Sequence, residues 1–273
     1  MNIRRIKLNE NLSIPVLGFG TWKLTGDECY EAIGFALETG YNHIDTAKAY
    51  GNHKEVGKAI KDSGIKREEL FITSKLWMSD FRYEDAKKAL HNTLEELGLD
   101  YLDLYLMHWP DRSISLEETF RALKESQDEG LIKSFGVSNF TIHHLQDALK
   151  LGHKFVNNQV EFHPSLNQKD LLEFCQNNEI SLTAYSPIGR GKDLELEVIK
   201  KLSEKHSRPA SQIILNWLIS KDIIAIPKAS KKEHIEDNFK TLEFSLTPQD
   251  IEEIDAIQEF ERMVLPDFND FDY

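Results

Sequence analysis

Cysteine is nearly missing from this chain: Cys29 and Cys175 are the only two among 273 residues. Two isolated thiols, each inside a segment with helical spacing, make neither a disulfide framework nor a cysteine-rich metal site, and they suit a reducing compartment. Long apolar runs are missing too. None approaches the roughly 18–20 residues that a bilayer span requires. The opening MNIRRIKLNENL is basic at first, but no apolar stretch of the kind a secretory leader carries follows it. The expected location is the cytoplasm, with no membrane partner. Positive charge is also short, since 33 Lys+Arg against 46 Asp+Glu leave a net charge of −13. That balance repels a phosphate backbone and an anionic membrane alike, so nucleic acid is not an expected partner. A local basic pocket for one small anion remains compatible with it. Finally, no low-complexity linker or shift of composition marks a boundary, and no interface stripe is evident. Residues 1–273 are expected to form one domain, large enough to bury a core without metal or disulfide, and to act as a monomer.

What is present is a rhythm: a short apolar run, a turn, an amphipathic segment, then another short apolar run. Candidate strands are Val16–Phe19, His43–Asp45, Leu70–Ser74, Leu102–Met107, Ile132–Val137, Phe155–Val160, Ser181–Ala184 and Ile224–Ile226. Helical spacing lies between them, as in Ala32, Ile33, Ala36 and Leu37. Thr25 with Glu28, and Ser115 with Glu118, have capping-box spacing, and Thr247-Pro248 puts proline at a first helical position. Ile3–Leu8 and Ser13–Pro15 read as a hairpin ahead of the first strand. Leu194–His206 and Pro209–Ser220 both fall before Ile224, so one of these helices is extra, and Pro248–Phe260 is another. Eight strands separated by helices imply parallel pairing, which a doubly wound sheet shares with a barrel. The strand ends favour the barrel. In order they carry Asp45, Lys75, His108, Ser138-Asn139, Gln159, Tyr185 and Lys228, and in a (β/α)8 barrel such ends converge on one face. The expected fold is therefore a (β/α)8 TIM barrel with an N-terminal β-hairpin and two extra helices.

Four of these neighbourhoods carry reaction chemistry. A phenol such as Tyr50 is a poor acid at neutral pH, and an adjacent ammonium such as Lys75 favours its ionised form and lowers its pKa. Asp45 beside Lys75 keeps the lysine charged and fixed, and His108 on the pocket wall can orient a carbonyl or relay a proton. Together they supply a proton donor for an oxygen that becomes negative as hydride arrives. Taken singly, each has a structural alternative: an ion pair for Asp45 and Lys75, a wall residue for His108, loop packing for Tyr50. Trp22, Trp77 and Trp109 singly read as core or rim aromatics. Met263–Tyr273 reads as a loose tail.

Joint order overturns these single readings. GFGTWK (Gly18–Lys23), HIDTAKAYGN (His43–Asn52), TSKLW (Thr73–Trp77), LMHWP (Leu106–Pro110), GVSNF (Gly136–Phe140), NQVEFHP (Asn158–Pro164), AYSPIGRG (Ala184–Gly191) and IPKAS (Ile226–Ser230) stand in one chain. In that order they resemble the aldo-keto reductase family, from about Leu17 to about Asn238. The resemblance implies hydride transfer from a nicotinamide cofactor to an aldehyde or ketone. It implies Tyr50 as general acid, tuned by Lys75 and Asp45, with His108 positioning the carbonyl. It implies that Ser138, Asn139 and Gln159 hold the nicotinamide carboxamide and that Tyr185 stacks on the ring. Thr21 and Trp22 line the cofactor mouth; Trp22, Trp77 and Trp109 form a substrate wall. Ser186 and Pro187 border the pyrophosphate, and Lys228, Ser230, His234 and Asn238 belong to the adenosine end.

Departures from the family pattern carry information. His234 stands where the family usually has an arginine that grips a 2′-phosphate, and a neutral histidine is a weaker, pH-dependent substitute. Lys228, Lys231 and Lys232 still favour phosphate, so NADPH is expected, with NADH possible. Ile188–Leu194 is short, which argues against a long strap over the cofactor. Asp111–Ser115 is equally brief and predicts an open substrate mouth, as in bacterial members that reduce diketo-sugar acids and small α-oxoaldehydes. Gly18-Phe19-Gly20 gives a GxG, but Lys23 fills the third glycine position, so a Rossmann domain is disfavoured. Two other readings compete. His43, Asp45, His108 and His163 could serve a metal-dependent hydrolase on the same barrel, although Lys75 would bring a cation to that site and no metal is expected there. A non-catalytic, cofactor-binding relative is the third reading, which fold alone does not exclude.

Overall fold

The computed structural model describes residues 3–273. A short hairpin comes first, with β1 (Arg5–Lys7) antiparallel to β2 (Ser13–Pro15). Eight parallel strands follow: β3 (Phe19–Gly20), β4 (His43–Asp45), β5 (Phe71–Leu76), β6 (Leu102–Met107), β7 (Ile132–Ser138), β8 (Asn157–Glu161), β9 (Ser181–Tyr185) and β10 (Ile224–Ala225). Each pairs with its neighbours in chain order. The two edges of the sheet then meet. Leu17 bridges Ala225 in parallel; Gly18 N donates to Ala225 O (2.8 Å), and Gly20 N donates to Pro227 O (3.0 Å). The sheet is therefore a closed (β/α)8 barrel, as the strand ends predict.

Closure dictates the glycines of the first motif. A Cβ on Gly18 would lie 2.3 Å from Nδ1 of His43, and one on Gly20 would lie 2.8 Å from the carbonyl oxygen of Ile226. Gly20 lets the two edge strands approach at the seam and Gly18 leaves room for the His43 ring of β4, so this GxG is no dinucleotide fingerprint.

The helices around the barrel are α1 (Gly26–Thr39), α2 (His53–Ser63), α3 (Tyr83–Leu97), α4 (Leu116–Asp128), α5 (Ile142–Lys150), α6 (Lys169–Asn177), α7 (Glu197–His206), α8 (Ala210–Ser220), α9 (Lys232–Phe239) and α10 (Pro248–Asp255). α8 packs on β10 and takes the barrel position, while α7 and α10 pack outside it and are the two extras. Strands buried on both faces separate two apolar layers. Phe71, Leu104, Leu106, Val156, Ile224 and Ile226 fill the interior with Leu8 and Ile14, so the hairpin seals one end. Ala32, Ile33, Ala36 and Leu37 of α1 exemplify the outer layer between barrel and helices.

Several local expectations need correction. Thr25 and Ser115 do occupy N-cap positions, but neither side chain makes a cap hydrogen bond. Glu118 instead accepts from the backbone N–H of Tyr83 (3.0 Å). Reciprocal capping boxes occur at Thr141 with His144 and at Thr247 with Asp250. Thr247 fits its Pro248; His144 is not the acidic or amide partner that a capping box usually shows. The last helix stops at Asp255, short of Phe260. A short 3-10 segment, Gly189–Glu195, precedes α7 and shortens the helix expected from Leu194.

Candidate active site

Alternation along the strands decides which side chains reach the open end. On β5, Phe71, Thr73 and Lys75 point inward, and Ser74 points out to the helices, where its hydroxyl meets Nε2 of His53 at 3.0 Å. On β4, His43 and Asp45 share the inner face. Lys75 and Asp45 are completely buried, and the lysine spends its donors on three acceptors. Its Nζ donates to Oδ1 of Asp45 (2.6 Å), to the carbonyl oxygen of Thr46 (2.9 Å) and to the hydroxyl of Tyr50 (3.3 Å). Tyr50 reaches this point from the single 3-10 turn Lys48–Tyr50 that follows β4.

Electrostatics separate the four groups. Burial disfavours charge on Lys75, but Asp45 and Tyr50 outweigh it and hold its pKa above the usual lysine value. Burial also pushes the Tyr50 phenol up, and Lys75 pulls it back only in part. This corrects the expectation of a net lowering: desolvation of the ring outweighs the ammonium beside it. Burial and the Lys75 charge together hold His108 well below the ordinary histidine range, so its imidazole is neutral. Its Nδ1 is buried without a partner. Its ring stands edge-on to Tyr50 and to Trp77, with centroids 5.7 and 5.2 Å away.

A second polar group adjoins the first. Nε2 of Gln159 donates to the other carboxylate oxygen of Asp45 (2.7 Å). The hydroxyl of Ser138 donates to the Gln159 carbonyl (2.7 Å), and Asn139 Nδ2 donates to the His108 carbonyl (2.9 Å). The Tyr185 hydroxyl donates to Oδ1 of Asn139 (2.8 Å). Asn139 holds a left-handed φ of 64° to turn between these partners. The ends of β7, β8 and β9 thus present amides, a hydroxyl and a phenol ring beside the first group.

Both groups line one cavity of about 660 Å³. Asp45, Tyr50 and His108 lie on its wall with Ser138, Asn139, Gln159 and Tyr185; so do Thr21, Trp22, Trp77, Trp109, Ser186, Pro187 and Lys228. Lys75 sits behind Asp45 and Tyr50. Ser230, His234 and Asn238 do not line this cavity. Ser230 and His234 are exposed beyond Lys228 around the start of α9, and Asn238 is buried in its last turn. The histidines of the hydrolase reading are not brought together. His43 lies deeper in the barrel against Thr73 (3.2 Å), and His163 is paired elsewhere. No group of three or more His, Cys, Asp or Glu side chains is placed to hold a metal among the described residues.

Sequence reading missed the part played by the C-terminal segment. Far from being loose, it is pinned: Arg112 donates to Asp270 (2.6 Å), His144 Nε2 lies 3.0 Å from Asp270, and the Tyr273 hydroxyl donates to Asp147 (2.6 Å). Val264, Pro266 and Phe268 line the cavity, and Phe268 stands edge-on to Trp77 and Trp109. The brief Asp111–Ser115 loop therefore does not leave the mouth open on this side; its Arg112 anchors the tail instead. The aromatic and acidic composition of Asp267–Tyr273 was the available signal, but it has no periodicity to mark an element. Lys23 and Arg190 were also missed. Both line the cavity and lie over the Trp22 ring, 4.5 and 4.6 Å from its centroid.

Comparison with known proteins agrees in kind with this geometry. The model of the Aldo/keto reductase family matches residues 16–259. The chain is similar to the glyoxal reductase of Bacillus subtilis, 43% identical over 260 residues that span 94% of each protein. The methylglyoxal reductase DkgA of Escherichia coli is 40% identical over 262 residues, again 94% of each. Among solved structures, a Bombyx mori aldo-keto reductase in complex with NADP superposes with a TM-score of 0.92 at 31% identity, covering 99% of both chains.

Proposed function

The chain belongs to the aldo/keto reductase family, and from that premise we propose that it reduces small aldehydes, α-dicarbonyls and keto-sugars to alcohols with NADPH, Tyr50 supplying the proton. The observation that carries this reading is the buried contact of Lys75 with Asp45 at 2.6 Å and with the Tyr50 hydroxyl at 3.3 Å, on the wall of the shared cavity. The relatives named for glyoxal and methylglyoxal reduction favour small dicarbonyls among the candidate substrates.

The chemistry of the donor set fits a nicotinamide. Ser138, Asn139 and Gln159 offer the neutral donors and acceptors that a carboxamide needs, and Tyr185 offers a ring face. Thr21 and Trp22 take the cofactor mouth, Ser186 and Pro187 the pyrophosphate, and Lys228, Ser230, His234 and Asn238 the adenosine end. A bound reduced nicotinamide supplies the hydride that reaches the carbonyl carbon. The chain's own residues do the remainder. Burial keeps the Tyr50 proton in place at neutral pH, so the phenol is neutral and carries the proton it must give. Lys75, its own charge secured by Asp45, stabilises the phenolate that is left. His108, neutral, orients the carbonyl oxygen toward Tyr50, and Trp22, Trp77 and Trp109 exclude water.

Fluorescence titration with NADPH and NADH, followed by turnover on a carbonyl panel, tests the reading. Tyr50→Phe should cut turnover by roughly 10²–10⁴-fold while cofactor affinity stays nearly the same; undiminished turnover removes Tyr50 as the acid. His234→Arg should tighten NADPH more than NADH, and equal effects on both remove the phosphate argument. We further read residues 1–273 as one domain acting as a monomer in the cytoplasm, which light scattering on the eluting purified protein checks for oligomeric state.

A further inference from the structure

Two segments each contribute to the cavity wall: Ile188, Arg190 and Gly191 after β9, and Val264, Pro266 and Phe268 of the tail. They come from distant parts of the chain, yet both rest on one buried histidine. Nε2 of His163 lies 3.0 Å from Oε1 of Glu161, and its Nδ1 lies 2.9 Å from Oδ2 of Asp193. All three side chains are buried. Each carboxylate holds one segment. Glu161 accepts the backbone N–H groups of Met263 (2.7 Å) and Val264 (2.9 Å), at the point where the tail turns toward the cavity. Asp193 belongs to the 3-10 segment and accepts from the N–H (2.9 Å) and hydroxyl (2.7 Å) of Ser165. Gly189 folds directly over it: a Cβ there would lie 2.5 Å from Oδ1 of Asp193.

The geometry also sets the charge of the ring. Each nitrogen faces a carboxylate oxygen at hydrogen-bond distance, the arrangement that suits a doubly protonated ring, an imidazolium shared by two carboxylates. We propose that His163 is a positioning residue that locks the 3-10 segment to the tail, so that order imposed on one cavity wall is transmitted to the other. Burial works against the charged ring, but Asp193 and Glu161 prevail and leave its pKa above the ordinary histidine value, in accord with that role. Besides the two carboxylates, the Ser165 hydroxyl lies 3.2 Å from Nδ1. The connection is a two-sided clamp with one shared cation, so removing the cation disconnects the halves and also leaves two carboxylates facing each other. Glu161 adjoins Tyr185 in the β8–β9 register, which brings the clamp directly behind the ring assigned above to the nicotinamide.

This inference rests on the proposed cofactor site, and amide exchange separates the two. In the parent protein, saturating NADPH should slow exchange at the Met263 and Val264 amides by about tenfold, a coupling of ordinary allosteric size. In His163→Gln, NADPH should still quench fluorescence on binding, while those amides exchange at the same rate with and without it. Asp193→Asn, which leaves one carboxylate fewer to bury, serves if His163→Gln does not fold, and should disconnect the tail in the same way. Retained tenfold protection of the tail in either variant overturns the clamp. Absence of any fluorescence change with NADPH in the parent overturns the cofactor site instead, and a parent that binds NADPH without protecting the tail overturns the coupling alone.

Discussion

At the scale of the residue, Asp45 is the most constrained member of the site. One oxygen takes Lys75 and the other takes Gln159, so its carboxylate ties the proton-donor group to the amide group. Asp45→Asn keeps the shape but leaves the buried Lys75 ammonium without its counter-charge. Breaking a buried pair in this way costs about 3–5 kcal/mol, and urea denaturation should show a loss of that order; a change below about 1 kcal/mol, the range of exposed pairs, would mean that water reaches Lys75. Tyr50 teaches a related lesson. An ammonium from a second motif, Lys75, suggests a lowered pKa, but ring burial sets the net direction, and only the folded cavity contains that information.

At the scale of the element, helix ends and strand seams are where local sequence is strongest and still incomplete. Thr25 and Thr247 both stand at N-caps, with Glu28 and Asp250 three residues on. Only Thr247 makes the reciprocal bonds, where Pro248 fixes the first turn. Thr247→Ala should therefore lower stability by about 1 kcal/mol, and Thr25→Ala should stay within about 0.5 kcal/mol; equal losses in thermal melts would contradict the difference in capping. Gly20→Ala acts on the barrel seam. Its Cβ would meet the backbone oxygen of Ile226 at 2.8 Å, and backbone cannot rotate away as a side chain can. A cost of about 1–3 kcal/mol is expected from such overpacking, measured as a shift of the urea midpoint at unchanged slope.

At the scale of the whole molecule, the barrel converts scattered histidines into one pH response. Burial holds His43 down to about 3 and depresses His108, His53 and His144 as well. Their unfolded counterparts bind protons from about pH 6.5 downward, so below that value the unfolded state holds more protons than the native one. Stability therefore falls as pH falls through and below about 6.5, by linkage. His163 has the opposite sign: its raised pKa gives stability fully present below the unfolded value and lost as pH rises through the folded one. Four depressed groups against one raised predict that the melting temperature drops from pH 7 to pH 5, read by calorimetry. A flat profile over that interval would show that these histidines are hydrated in the native state.

The sequence by itself determined the repeat, and with it the barrel. Alternating inward positions such as Thr73 and Lys75, and polar residues at seven strand ends, are properties of local spacing, and parallel closure leaves them one face to share. The residue types of Asp45, Tyr50, Lys75 and His108 suggested their chemistry, and the joint order of the motifs, through the family resemblance, singled them out. Only the tertiary structure decided what lay outside any repeat. The tail is fixed by partners over a hundred residues away, Arg112 and Asp147 among them. His163 reads in the sequence as no more than a candidate metal ligand until Glu161 and Asp193 close on both of its nitrogens. The direction of each pKa followed the same division, because residue type sets the reference value, while burial and the charged partners that folding brings up set the departure from it.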